Sequence, residues 1–432
     1  MKKLLTVLVV LLAAVVSCDR DETKDRINIS SPKPKSAITR VSLSDEQKEY
    51  VNAGNTFAFN CLKDLYGQSR GGSLVFSPLS LQYALAMTAN GAAGETAEEI
   101  INTLGYGADI DALNDYCHKL LTELPAVDLN VKVQLADAMM VNDKYPINKD
   151  YKSILENTFF APLEQVSVSN KEEVVARIND WARRNTSGLI NPFIGANDIP
   201  NNFSAAILNA LYFKARWAGS DKNPMFDTRA TLKAQSFYYD GGGEGKVDLM
   251  STMRFFRYTS TDKFHVAEIP YAGGKFVMYI LLPFEKGGSG IAELISALPD
   301  ISLEGLTRSM TTNSEVYLRL PKFESSNRFE LQEALKSLGI IRAFNQNSAQ
   351  FDKVFKTDSA SAFYIDKVIQ KSKISVSEWG TEAASATIVE MGESDLESTP
   401  QRVYFYADHP FVYLIAEKTS GVILFEGVYT GK

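Results

Sequence analysis

The chain has 432 residues, 45% of them hydrophobic and 22% charged, which supplies apolar material for a large core and argues against a disordered chain or a simple coiled coil. With 45 Lys and Arg against 52 Asp and Glu the formal charge is −7, so no cationic field draws a polyanion and nucleic acid is not expected as a partner. Three Cys without CxxC spacing and three scattered His (His118, His265, His409) argue against a multi-His zinc centre, and neither a metal nor a cofactor is expected.

The first segment in chain order reads as an address. Lys2 and Lys3 precede a thirteen-residue run, Leu4 to Val16, that is apolar except for Thr6, too short to span a bilayer comfortably and suited to the core of a secretory signal. It ends Val15-Val16-Ser17-Cys18, which resembles a bacterial lipobox and implies cleavage after Ser17 and acylation of Cys18. Loss of residues 1–17 removes two lysines, leaving 43 basic and 52 acidic residues and a charge of −9. Residues 18–42 follow as a charged, Pro-containing tether. Its acidic start, Asp19-Arg20-Asp21-Glu22, resembles the surface-export signal of Bacteroides-group lipoproteins. The expected location is the outer membrane or cell surface of a Gram-negative bacterium, with the folded part extracellular or periplasmic. Cys61 and Cys117 are expected to be free and buried.

From residue 43 onward the pattern is helical first and β-rich later. Ser44-Asp45-Glu46-Gln47 is a capping box that opens an amphipathic helix carrying Phe57, Cys61, Leu62, Leu65 and Tyr66. Ser77-Pro78 opens a second helix that stops near Gly91, Glu95 to Leu104 forms a third, and further helices are predicted over Lys171 to Arg184 and Phe329 to Leu338. Strands are predicted at Val131 to Val141, Ser204 to Phe213, Phe276 to Leu282, Val316 to Leu320, Phe411 to Ala416 and Val422 to Phe425. No linker interrupts residues 43–432, so the expectation is one large α+β unit rather than the two or three domains that length alone would allow.

Catalytic signatures are missing. In Gly241-Gly242-Gly243-Glu244-Gly245-Lys246 the first Gly of a phosphate loop is replaced by Asp240 and its Ser/Thr by Val247, so the segment reads as a turn. Gly287-Gly288-Ser289-Gly290 lacks the last Gly of a hydrolase elbow. His409 follows Asp408, but neighbouring side chains rarely share the geometry of a triad.

One segment does carry a signal. Glu378-Trp379-Gly380-Thr381-Glu382-Ala383-Ala384-Ser385-Ala386-Thr387 is a glycine followed by small residues up to Ile388. Written as a strand, one face holds Thr381, Ala383, Ser385, Thr387, Val389 and Met391, and the other holds Glu382, Ala384, Ala386, Ile388 and Glu390. The first face has no charge, so such a strand could slide between two others against a core. A surface loop or an Ala-rich helix is the plainer alternative.

Together with Val75-Phe76-Ser77-Pro78-Leu79-Ser80, Leu208-Asn209-Ala210-Leu211-Tyr212-Phe213-Lys214 with Trp217, Ala407-Asp408-His409-Pro410-Phe411 and Leu424-Phe425-Glu426-Gly427, this segment resembles the serpin family from about residue 44 to the C-terminus. The resemblance implies the α+β serpin fold: one domain over residues 43–432, with a bundle of helices, three β-sheets and an exposed reactive-centre loop at about 378–402. It implies an inhibitor and not an enzyme, in which a target endopeptidase acylates on the loop and the cleaved loop inserts into the central sheet, trapping the acyl-enzyme. The expected partners are serine endopeptidases, with cysteine endopeptidases as a second class, and a membrane reached through the lipid. A monomer is expected.

The hinge falls on Glu378, Gly380, Thr381, Glu382, Ala383, Ala384, Ser385, Ala386 and Thr387, and the shutter and breach positions on Ser77, Ser80, Asn209, Trp217 and Gln370. Gln370 stands where the family usually has His, so the shutter hydrogen bonds must differ, although an amide both donates and accepts. Counting seventeen residues from Glu378 gives a Ser394-Asp395 scissile bond, whereas side-chain chemistry favours Met391-Gly392 for elastase-, chymotrypsin- or subtilisin-like pockets. Glu390, Glu393 and Glu397 leave room for a Glu-specific protease. The absence of Lys and Arg between Lys373 and Arg402 argues against trypsin-like targets. A non-inhibitory serpin acting as a surface binding protein is the alternative, and the small hinge residues speak against it.

Overall fold

The computed structural model describes residue 34 and residues 36–432, except 70, 108, 168, 200–204, 357–362, 366 and 382–400. The signal segment, Cys18, hinge residues Glu382, Ala383, Ala384, Ser385, Ala386 and Thr387, and the bond candidates Met391, Gly392, Ser394 and Asp395 therefore lie outside the described residues.

In chain order the first elements are α1 (Asp45–Gln68), β1 (Leu74–Phe76), α2 (Pro78–Gly91), α3 (Gly94–Leu104), α4 (Ile110–Glu123), β2 (Lys132–Asn142), α5 (Lys149–Thr158), β3 (Leu163–Val166), α6 (Lys171–Asn185) and β4 (Ala205–Arg216). There follow β5 (Leu232–Tyr238), β6 (Glu244–Ser260), β7 (Phe264–Pro270), β8 (Phe276–Pro283), α7 (Gly290–Ala297), α8 (Leu303–Ser309), β9 (Thr311–Pro321) and β10 (Phe323–Glu330). The last are α9 (Gln332–Ser337), β11 (Ile369–Ser377), β12 (Gly380–Thr381), β13 (Gln401–Tyr406), β14 (Phe411–Glu417) and β15 (Ile423–Tyr429).

Local chemistry explains most starts and stops. The predicted capping box is formed, with Ser44 Oγ accepting from Gln47 N at 3.1 Å and Gln47 Oε1 accepting from Ser44 N at 3.2 Å. Ser77 caps α2 by accepting from Ser80 N at 3.2 Å, with Pro78 in the first turn. Phe329 and Glu330, assigned to a helix by their spacing, instead end β10, and α9 begins at Gln332. Pairing of Phe329 with Gln370 and of Glu330 with Ile369 overrides the helical periodicity there. The triglycine segment is the turn from β5 to β6, as predicted.

Two sheets organise the molecule. The six-stranded sheet runs β10-β11-β12-β4-β2-β3, antiparallel except for the β2/β3 pair. The other runs β1-β15-β14-β8-β7-β6-β9-β13 with β5 attached to β6. Of the three sheets expected, two merge along the 17-residue β6, which pairs with β5, β7 and β9 in turn. Between the sheets lies α2, buried on every side. On the outer face of the six-stranded sheet, α6 packs Val174, Ile178 and Trp181 against Ala138, Met140, Leu208 and Ala210. Strands β8, β14 and β15 are buried on both faces, which accounts for their lack of polar alternation.

Close packing in the middle of the core has a local cost. Gly427 on β15 leaves no room for a Cβ against Leu74 O and the Tyr413 ring. Beside it Glu426 is fully buried, and among the described residues neither carboxylate oxygen has a hydrogen-bond partner. Burial pushes this carboxyl well above the ordinary glutamate range, so the folded protein holds this proton to higher pH than the unfolded chain does. Replacing Glu426 with Met is expected to stabilise the fold at pH 7 by about 1–3 kcal/mol, with a smaller gain at pH 4. Thermal unfolding at the two pH values measures this, and a destabilised variant at pH 7 would contradict it.

Candidate functional site: the breach and shutter of the six-stranded sheet

β11 turns through Glu378-Trp379 into the two-residue strand β12, which pairs with β11 through Val376/Thr381 and Ser377/Gly380. Its other edge pairs with β4 through Thr381/Ala215 and Gly380/Arg216. At this level β4 and β11 are therefore two strand spacings apart, about 9–10 Å. Among the described residues β4 and β11 form no ladder with each other, and β12 is the strand that bridges them. Gly380 has φ of +136°, and a Cβ there would strike the backbone of Ala215 and Arg216. Only glycine lets the chain enter so close to β4.

Thr381 is 2% exposed and points inward, where its Oγ1 lies 2.6 Å from Tyr271 Oη. The Tyr271 ring stacks on Trp217 with centroids 4.6 Å apart and planes 6° from parallel. Trp217 Nε1 donates to Ser377 O at 2.8 Å, tying the end of β4 to the end of β11. On the other side of the turn Glu378 is 5% exposed, accepts from Thr231 Oγ1 at 2.7 Å and pairs with Lys322 Nζ at 2.9 Å. Burial alone would raise the Glu378 carboxyl, but the Thr231 hydroxyl and the Lys322 ammonium outweigh it and hold it below the usual glutamate range. The hinge is thus anchored at both ends of its first four residues. Beyond Thr381 lies a cavity of about 10 Å³ bounded by Phe213, Ile374, Ile415 and Phe425 among others.

Lower in the same sheet Ser77, Ser80 and Gln370 come together. Gln370 Oε1 accepts from Ser77 N at 3.0 Å and its Nε2 donates to Ser77 O at 2.8 Å, while Ser77 Oγ donates to Leu424 O at 2.8 Å. The amide thus uses both its functions on one backbone residue and locks β11 to the start of α2. Asn209 is not part of that set. Its Nδ2 donates to Asp137 Oδ1 at 2.5 Å across the β2/β4 ladder. Asp137 Oδ2, Asn209 Oδ1, Ser80 Oγ and Tyr83 Oη have no partner among the described residues, although all are buried.

Sequence reasoning missed Asp137, Tyr271, Thr231 and Lys322. Asp137 did carry a signal, the single acid inside the apolar run Val131 to Val141, whereas nothing local marks the other three. His409 lies far from this site: its Nδ1 is 2.8 Å from Asp408 Oδ1 and its Nε2 is 2.8 Å from Pro283 O. The neighbouring pair does meet, but both ring nitrogens are engaged and the ring is buried, which leaves no free base. Cys61 and Cys117 are both buried and unpaired.

Residues 52–431 match the family described as Serpin (serine protease inhibitor). The chain is a serpin. It is 30% identical to wheat Serpin-Z1C over 398 residues, covering 90% of this chain and 96% of the relative. Human Serpin B11 is 30% identical over 396 residues, covering 86% and 96%. Among solved structures, Serpin48 of the insect Tenebrio molitor superposes with a TM-score of 0.77 at 26% identity, covering 90% of this chain and 99% of that one. The expected serpin fold is therefore established, and with it membership of a family that acts on proteases as inhibitors rather than as catalysts.

Burial pushes the Asp137 carboxyl up to about 7, against the pull of the hydrogen bond from Asn209. Its folded pKa lies above the unfolded value near 4, so the folded state binds the extra proton and stability falls as pH rises from about 4 to 7. Asp137→Asn keeps an acceptor for Asn209 and removes the charge. It is expected to flatten the dependence of the melting midpoint on pH between 5 and 8 and to raise the midpoint at pH 8. An unchanged slope would show that Asp137 does not titrate in this range.

Proposed function

We propose that this serpin is a suicide-substrate inhibitor of serine endopeptidases, with cysteine endopeptidases as a second target class and elastase-, chymotrypsin- or subtilisin-like specificity. The observation that carries the reading is Gly380-Thr381 seated as a strand between β4 and β11, with Thr381 turned to the core. Six residues beyond Thr381 comes Thr387; six residues along the partner strands from Ala215 and Val376 come Asn209 and Gln370. A loop cut further on and drawn in along this register would bring Thr387 between those two shutter residues. Ala383, Ser385, Thr387, Val389 and Met391 would then face inward with Thr381, and both acids outward. The Thr387 hydroxyl would meet Asn209 Oδ1, an acceptor without a partner among the described residues.

The energetics favour such a step. About ten new ladder hydrogen bonds at ~1 kcal/mol net each amount to on the order of 10 kcal/mol, less the cost of ordering the loop. Motion of the loop would carry an acylated protease away from its docking position and distort its site. The scissile bond is Met391-Gly392 or Ser394-Asp395. We assign residues 1–17 to an export signal, Cys18 to lipid attachment and residues 18–42 to a tether holding the domain at the outer membrane or cell surface, on the strength of the lipobox and the acidic run behind it.

Mixing the protein with pancreatic elastase, chymotrypsin or subtilisin is expected to give an SDS-stable complex with at least one of them and to release a C-terminal peptide whose mass fixes the cleaved bond. Ala383→Arg, at the next inward-facing position beyond the already seated Thr381, should abolish the complex and leave cleavage intact, because a cation would enter the core at the first step of insertion. A persistent complex in that variant would count against insertion, and turnover without any complex would favour the non-inhibitory reading.

A further inference from the structure

The loop has a second face, and the outer side of the six-stranded sheet is matched to it. Along the register set by Thr381 opposite Ala215 and Val376, Glu382 falls between Lys214 and Ser375, Ile388 between Leu208 and Ile369, and Glu390 between Ala206 and Lys367. Residues directly opposite in a ladder share a face, so these are the neighbours of the outward side chains. Lys214 is half-buried and stands opposite Lys132 across the β2/β4 ladder, two cations side by side. Lys132 is engaged by Ser187 Oγ at 2.7 Å and by the Tyr212 ring at 4.7 Å, whereas Lys214 has no ion-pair partner among the described residues. Like charges directly opposite destabilise a sheet, and an acid beside them removes the conflict. Lys367, just ahead of β11, is exposed and likewise has no ion-pair partner among the described residues. Between the two lysines the outer face is apolar. Leu208, with Ile369 packed beside it, belongs to the cluster beneath Val174, Ile178 and Trp181 of α6. Ile388, the one bulky apolar residue on the outward face of the loop, thus meets the apolar row, and each acid meets a lysine.

We propose that Lys214 and Lys367 are positioning residues for entry of the loop, each forming an ion pair with the acid that the register brings beside it, Glu382 and Glu390 respectively. The proposal rests on the inhibitory reading above and assigns the outward face, which that reading leaves without partners. Register is what the pairs secure. Two residues looped out below Thr381 would keep the same side chains inward, and small inward residues such as Ala383 and Ser385 discriminate weakly against such a slip. On the outer face the slip would put Glu390 between Leu208 and Ile369 beneath α6, a charge in an apolar cluster, and Gly392 beside Lys367. Both pairs exist only once the strand is in, so they leave the uncleaved protein as it is and favour insertion over hydrolysis of the acyl-enzyme by water.

The test reverses each lysine and then restores the pair from the other side: Lys214→Glu against Lys214→Glu/Glu382→Lys, and Lys367→Glu against Lys367→Glu/Glu390→Lys. For an enzyme that the unmodified protein traps, each single variant is expected to raise the stoichiometry of inhibition about two- to five-fold, the range of a half-exposed ion pair, and each double variant to bring it back. The increase should shrink in 1 M NaCl. After one cut between residues 391 and 400 by an enzyme that is not trapped, the gain in melting midpoint should be smaller in the single variants and recover in the doubles. Midpoints of the uncleaved variants should not fall, which a merely structural role for either lysine would not allow. Single variants that match the unmodified protein in both stoichiometry and midpoint gain would overturn the proposal, as would double variants no better than the singles. If the unmodified protein traps no enzyme and its midpoint does not rise on cleavage, the inhibitory reading itself fails, and this proposal with it.

Discussion

The upper half of the six-stranded sheet depends on holding β4 and β11 one strand's width apart. Two residues do this, Gly380 because it alone fits against the β4 backbone and Thr381 because its buried hydroxyl finds Tyr271. The stack of Tyr271 on Trp217 and the Trp217 bond to Ser377 O make the opening rigid rather than frayed. Glu378, buried with Lys322 and Thr231, fixes the turn that delivers the chain there. Removing one partner of such a pair leaves a buried charge, so the turn is held more firmly by what its loss would cost than by what the pair gains.

Midway down the sheet the inward face changes from apolar to polar. Asp137 and Asn209 pair across β2 and β4, and Gln370 on β11 holds the Ser77 backbone at the start of α2. The set is incompletely satisfied: Gln370 Oε1 and Nε2 both engage the Ser77 backbone, while among the described residues Asn209 Oδ1 has nothing to accept from and neither does Asp137 Oδ2. Buried polar atoms in that condition are destabilising. Their placement along the register of β12 means that the defect lies where an additional strand would bring a donor. A sheet built in this way carries a defect that a further strand could relieve, as the proposed kinetically trapped inhibitor requires.

Much of this was legible in the sequence because its signals are local. The Ser44 capping box, the Ser77-Pro78 helix start, the apolar strands and the alternation of small residues after Gly380 each depend on a few adjacent side chains, and each described one lies where its chemistry puts it. Gln370 was legible as a departure but not in its solution, since its partner is a backbone 293 residues away. Partners such as Tyr271, Thr231 and Lys322 come from strands that only the sheet topology brings together. Phe329 and Glu330 show the opposite failure, in which a local helical spacing lost to pairing with β11.

The central claim is that the space between β4 and β11 accepts the rest of the loop. The most direct measurement is the melting midpoint before and after a protease that is not trapped cuts once between residues 388 and 400, with the site of cleavage read by mass spectrometry. Insertion predicts a rise of about 10 °C or more, given the hydrogen bonds gained and the steepness of unfolding in a protein of this size. A midpoint that stays the same or falls would mean that the cleaved loop remains outside the sheet.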